Sequence, residues 1–102
     1  MASLKIETVT EKEFSLTGPL TRETVPTLMD FNSQLLKAKP GQDMVCDCAG
    51  ISQIDSAGIA ALLDSFRQLA HKKNQLLFTN IPSRMQSLID VSRLTDIFIQ
   101  QD

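Results

Sequence analysis

A chain of 102 residues with 42% hydrophobic and 22% charged residues has the size and composition of one ordinary globular domain, spanning 1–102, with one core. A net charge of -2 argues against nonspecific nucleic-acid binding, which needs a basic surface to neutralise phosphates. No run approaches the roughly 20 apolar residues of a membrane span, and Met1 to Glu7 lacks the apolar stretch of a signal peptide. A cytoplasmic protein with reduced thiols and no direct membrane insertion is therefore expected.

Leu4, Ile6 and Thr8 alternate with Lys5 and Glu7, the period of a half-buried strand. Phe14 and Leu16 alternate with Ser15 and Thr17 in a second strand, and the short polar link Thr10 to Glu13 predicts a hairpin. Gly18-Pro19 is expected to stop that strand. Val25, Leu28, Phe31, Leu35 and Ala38 then fall on one helical face. Pro26 fits only a first turn, so the helix is expected to begin near Thr24 or Val25, with Thr24 as its cap. Lys37 and Lys39 suit the negative end of its dipole, and Pro40-Gly41 closes the segment.

Met44 to Cys48 reads as a short strand buried on both faces, as in a parallel sheet. Asp47 interrupts it. Either it lies at the strand's C-terminal end and accepts hydrogen bonds from loop backbone, or it marks a partly exposed strand end. Cys46 and Cys48 lie side by side on one strand face. That arrangement is poor for a disulfide, and two thiols with one His make a poor metal site, so both read as small buried residues. A loop from Gly50 to Gly58 follows.

Ile59, Leu62, Leu63, Phe66, Leu69 and Ala70 repeat with helical spacing, while Asp64, Arg67, Gln68 and His71 point outward. Lys72-Lys73 suits the helix end, with Asn74 as the left-handed stop. Gln75 to Thr79 predicts another short strand. A helix with Pro82 in its first turn places Met85, Leu88 and Ile89 inward and Arg84, Gln86 and Asp90 outward. A last short strand is expected over Ile97 to Ile99, then a polar tail, Gln100 to Asp102. The order β-β-α-β-α-β-α-β predicts an α/β fold with a mixed, mostly parallel sheet and an N-terminal hairpin.

In such a sheet the loops Gly18 to Arg22, Gly50 to Gly58 and Asn80 to Ser83 leave at one edge, where ligands and partners bind and helix N-termini favour negative charge. Ser56 lies at the centre of this edge. Two roles are open to it: a cap for the helix backbone, or an exposed hydroxyl that a partner reads or a kinase phosphorylates. Asp55 can cap the loop or helix, or orient Ser56. Gly58 allows close backbone approach or serves the turn. Catalysis has little support. The one His, His71, lies at the far end of its helix from Ser56. No P-loop or dinucleotide glycine motif occurs. A lipid carrier would need a sizeable apolar pocket, for which the chain leaves little room. No cofactor or metal is expected.

The stretch Asp47-Cys48-Ala49-Gly50-Ile51-Ser52-Gln53-Ile54-Asp55-Ser56-Ala57-Gly58-Ile59 resembles the signature of STAS domains, the anti-sigma-factor antagonist family. Leu16-Thr17-Gly18-Pro19-Leu20 is similar to the Gly-x-Leu turn after that family's second strand, and the likeness covers nearly the whole chain. The resemblance implies a STAS-like fold and a protein that binds rather than catalyses. Ile54 to Leu63 looks most like the MlaB branch, a small cytoplasmic subunit of an ABC transporter that moves phospholipids between inner and outer membranes. That branch implies an ATPase partner (MlaF-like), a membrane permease in the same complex, and a position peripheral to the inner membrane through the partner. It implies contact through Asp55, Ser56, Ala57, Gly58 and Ile59, with Leu20, Thr21, Pro82 and Ser83 from the neighbouring loops. The alternative branch is an anti-sigma-factor antagonist regulated by phosphorylation of Ser56. Three departures stand out. Ser56 is Thr in the transporter example, Ala57 replaces Gly or Ser, and Pro19 stands where an acidic residue is common.

Overall fold

The structure is a computed structural model that describes residues 3–99. Met1 and Ala2, and the polar tail expected at Gln100 to Asp102, lie outside the described residues. Strands β1 (Lys5–Thr10) and β2 (Glu13–Leu20) form the expected hairpin. Then come α1 (Val25–Leu35), β3 (Met44–Ile54), α2 (Ser56–His71), β4 (Leu76–Thr79), α3 (Ser83–Val91) and α4 (Thr95–Phe98). The sheet has the order β1-β2-β3-β4, antiparallel between β1 and β2 and parallel onwards.

Apolar side chains line one face of this sheet. Phe14, Cys46 and Phe78 stand beside one another across three strands, and all are buried. Phe31 of α1 packs on Phe14 with ring centroids 5.1 Å apart, and Phe98 packs on Phe78 at 4.6 Å. The helical layer therefore covers this face. On the other face Glu7, Ser15, Asp47 and Thr79 stand in register, exposed or half-buried. This corrects the expectation that β3 is buried on both faces: Met44, Cys46 and Cys48 are buried, whereas Val45 and Asp47 are half-buried. Asp47 lies in mid-strand, where its Oδ1 accepts from the Ala49 N–H at 3.0 Å and from Asn80 Nδ2 at 3.1 Å.

Two strands run further than expected. β2 continues through Gly18-Pro19 to Leu20, and β3 continues through Gly50 to Ile54. They pair to their ends, Leu20 opposite Ile54, across two irregularities. Gly18 has φ of 105°, which favours glycine, and Pro19 follows at the second irregularity. The pairing of β1 with β2 ends at Thr17, so Pro19 interrupts no ladder on that side.

The chain's end also differs. The expected strand at Ile97 to Ile99 is the short helix α4, followed by Ile99. Arg93, at φ 58°, ends α3 with the Leu94 N–H bonded to Ile89 O and its own N–H to Asp90 O. The chain is thereby returned onto the helical layer rather than beside β4, and Phe98 is buried over the sheet face.

Helix α1 begins at Val25 as expected and ends at Leu35, so Lys37 and Lys39 fall beyond it. Lys72, from the end of α2, donates instead to the carbonyls of Leu36 and Ala38, the latter at 3.0 Å. Between the two helices Ser65 Oγ donates to Asn32 Oδ1 at 2.7 Å, and both residues are buried. Ser65 takes a place in the apolar stripe of α2, while Ala70, expected inward, is exposed at its margin. The left-handed residue after α2 is Lys73, not Asn74. Asn74 is buried and donates to Lys39 O and Gln42 O, each at 2.7 Å.

Candidate functional site

Because β2, β3 and β4 run parallel, their C-terminal ends lie at one edge. The corner where β3 meets α2 is tied to the end of β2 by one side chain. Asp55 has extended backbone and caps α2: its Oδ1 accepts from the Gly58 N–H at 2.9 Å. Its Oδ2 accepts from the Arg22 N–H at 3.1 Å. One carboxylate thus satisfies donors on two loops that are 33 residues apart in sequence.

Capping therefore belongs to Asp55. Ser56 is the first residue of α2 and is exposed, and its hydroxyl makes no hydrogen bond to any described residue. Ala57 is half-buried. Gly58 is buried, and a Cβ added there would lie 2.2 Å from the Leu20 carbonyl oxygen. The backbone that approaches this helix start is thus the chain's own β2. Leu20 and Ile59 lie in the core. Leu20, Gly58 and Ile59 shape the corner from beneath, while Thr21, Ser56, Ala57, Pro82 and Ser83 reach its surface.

The Thr24 hydroxyl, expected to cap α1, faces back instead. It donates to Pro19 O at 2.9 Å and accepts from the Thr21 N–H at 3.0 Å, locking the turn. Thr21 donates its hydroxyl to Glu23 Oε2 at 2.9 Å. Glu23 titrates below its ordinary range, chiefly through its own backbone N–H and then the Thr21 hydroxyl. Arg22 was visible as a loop residue, but nothing in its sequence context reveals that its N–H would meet Asp55.

The third loop joins through a cleft of about 290 Å³, lined by Ile51 to Ile54 and Pro82 to Met85. That is at the bottom of the range for small-ligand sites, about 300–1,000 Å³. His71 is exposed at the other end of α2, some 22 Å of helix from Ser56. Cys46 and Cys48 are free and buried with their sulfurs 3.9 Å apart. Burial, then the neighbouring Cys48, pushes the Cys46 thiol well above its ordinary value. Among the described residues no helix is long and apolar enough to cross a membrane. The arrangement suits recognition: an exposed hydroxyl at a helix start, held by a rigid frame.

A domain with this mixed, mostly parallel sheet and an Asp-Ser-x-Gly corner is a STAS domain. The chain belongs to the family described as "Mlab, STAS domain", whose profile matches residues 7–100. Among solved structures it is similar to an anti-sigma-factor antagonist (STAS) domain protein from Planctomyces limnophilus, at 12% identity and a TM-score of 0.75. That match covers 95% of this chain and 87% of the other. It is also similar to the anti-sigma factor antagonist SpoIIAA in its unphosphorylated form. There the identity is 16% and the TM-score 0.67, covering 97% of this chain and 88% of that one. Identities this low speak for the fold. No curated protein sequence matches the chain.

Proposed function

We propose that this protein is a non-catalytic subunit that docks through the Ser56 corner onto the ATPase of an ABC transporter moving phospholipids between the inner and outer membranes. The match to the MlaB-type STAS family carries this reading. The permease belongs to the same complex, and the domain sits at the cytoplasmic side of the inner membrane through its partner. The partner's nucleotide chemistry is tuned by binding energy alone. Asp55, Ser56 and Ala57 form the centre of the contact, Gly58, Ile59 and Leu20 support it from beneath, and Thr21, Pro82 and Ser83 flank it.

Affinity purification of the tagged protein in native detergent extracts tests the assignment. Recovery of an ABC ATPase with its permease is expected, and recovery of a histidine-kinase-like protein alone would refute it. Ser56→Trp is expected to abolish ATPase binding with an unchanged circular dichroism spectrum, because Ser56 is exposed and its hydroxyl makes no hydrogen bond to a described residue.

A second reading rests on that same free hydroxyl and on the likeness to SpoIIAA. Ser56 would be phosphorylated by an anti-sigma kinase. Its phosphate would meet the favourable start of α2 and the opposing charge of Asp55. Intact-mass spectrometry of protein from its own cells separates the two, since the transporter reading expects no phosphate.

A further inference from the structure

The pairing of β3 with β4 covers only Met44 to Asp47 and ends at Thr79, where the chain turns away at Asn80 with φ 55°. β3 runs on for seven more residues, Cys48 to Ile54. Over that length β2 is its only strand neighbour among the described residues. One side of this segment is therefore a strand edge inside the sheet's outline, and it leads directly into Asp55 and Ser56. Beside it lies the 290 Å³ cleft, walled on the far side by Pro82 to Met85. Ser52 and Gln53 on the edge are exposed, while Ile51, Ile54 and Met85 are buried.

Bare strand edges are normally blunted by lysine, by a covering loop or by extreme shortness. The outer edge strand β1 is guarded in this way, with Lys5 and an irregularity between Thr8 and Thr10. The Cys48 to Ile54 edge carries no charged residue at all. The charge at the cleft comes from Arg84, which is exposed and forms no ion pair with a described residue. Behind it, α3 starts without a side-chain cap or an acidic residue in its first turn. The lining of the cleft thus holds one cation, Arg84, and no carboxylate.

We infer that the occupant of this edge is an extended, acidic segment of the partner ATPase, which adds as a strand beside Gly50 to Gln53 and sets a carboxylate against Arg84. Main-chain hydrogen bonds supply the attachment and the cleft selects the side chain. The edge is continuous with the Ser56 corner, so the inference rests on the transporter reading and extends it to a second element of the same partner.

Amide hydrogen exchange of the full chain, alone and with the purified ATPase, tests it. Peptides spanning Cys48 to Ile54 are expected to exchange at least tenfold more slowly in the complex. Arg84→Glu is expected to weaken binding tenfold or more in calorimetry, and Arg84→Lys to retain most of it. A complex that protects only Ser56 to Ile59, with Arg84→Glu binding like wild type, overturns the strand addition and leaves the transporter reading intact. Failure of the wild-type chain to bind the ATPase overturns both.

Discussion

Gly58→Ala puts a single methyl into the joint that builds the corner. The added Cβ would lie 2.2 Å from the Leu20 carbonyl oxygen and 3.0 Å from Leu20 Cγ. Ordinary contact begins at 3.4 Å, so the carbonyl must retreat by about 1.2 Å, the difference between those two distances. It is poorly free to do so. Leu20 is opposite Ile54 in the sheet, and the preceding Pro19 carbonyl is held by Thr24. Overpacking costs about 1–3 kcal/mol, and a backbone obstacle belongs at the upper end. Removing glycine from a helix returns about 0.5–1 kcal/mol. The net expectation is a loss of roughly 2 kcal/mol, which for a domain of this size lowers the melting temperature by roughly 10 °C. Urea unfolding followed by circular dichroism measures it, with the denaturant slope unchanged. Ala57→Gly, one residue away, controls for propensity and should lose about 1 kcal/mol at most. If Gly58→Ala were as stable as wild type, the contact between the β2 end and α2 would not be the rigid joint described.

Asp55→Ala removes both the cap and the tie to Arg22, with an expected loss of about 1–2 kcal/mol, while Asp55→Asn keeps a cap and should lose less than half of that in the same urea assay. Ser65→Ala leaves the buried Asn32 Oδ1 without its donor and should cost about 1–3 kcal/mol; a double-mutant cycle with Asn32→Ala is expected to show coupling, and strict additivity would refute it. The thiols of Cys46 and Cys48 should react with a disulfide reagent only at the rate of unfolding, since burial raises the Cys46 thiol and hides both sulfurs; fast labelling of the native protein would refute this.

Much of the frame was legible in the chain because spacing reports solvent exposure directly. The stripe of Ile59, Leu62 and Leu69 marks α2, and the alternation around Phe14 and Leu16 marks β2, whatever the rest of the molecule does. Pro26 placed the start of α1 through a covalent constraint on the backbone alone, whereas the helix ends at Leu35, well before Pro40-Gly41. The corner itself was legible as a place, since Asp55, Ser56 and Gly58 are residue types suited to a strand-to-helix turn.

What spacing leaves open is which partner a polar group finds. Asp55 and Ser56 are equally good caps in isolation. In the fold Asp55 takes the cap through Oδ1, its Oδ2 takes the Arg22 N–H from 33 residues away, and the Ser56 hydroxyl bonds to no described residue. The same holds for strand length. Gly18-Pro19 and Gly50 look like breaks, yet pairing between β2 and β3 carries the two strands three and six residues further than their local sequence suggests. The three apolar residues at Ile97 to Ile99 carry too little pattern to separate strand from helix, and packing of Phe98 on Phe78 decided it. Sequence alone determined the kind and order of the elements from β1 to α3, because exposure and backbone stereochemistry are local. Tertiary structure decided which hydroxyl is free and which edge is bare, because both depend on groups that only folding brings within hydrogen-bond reach.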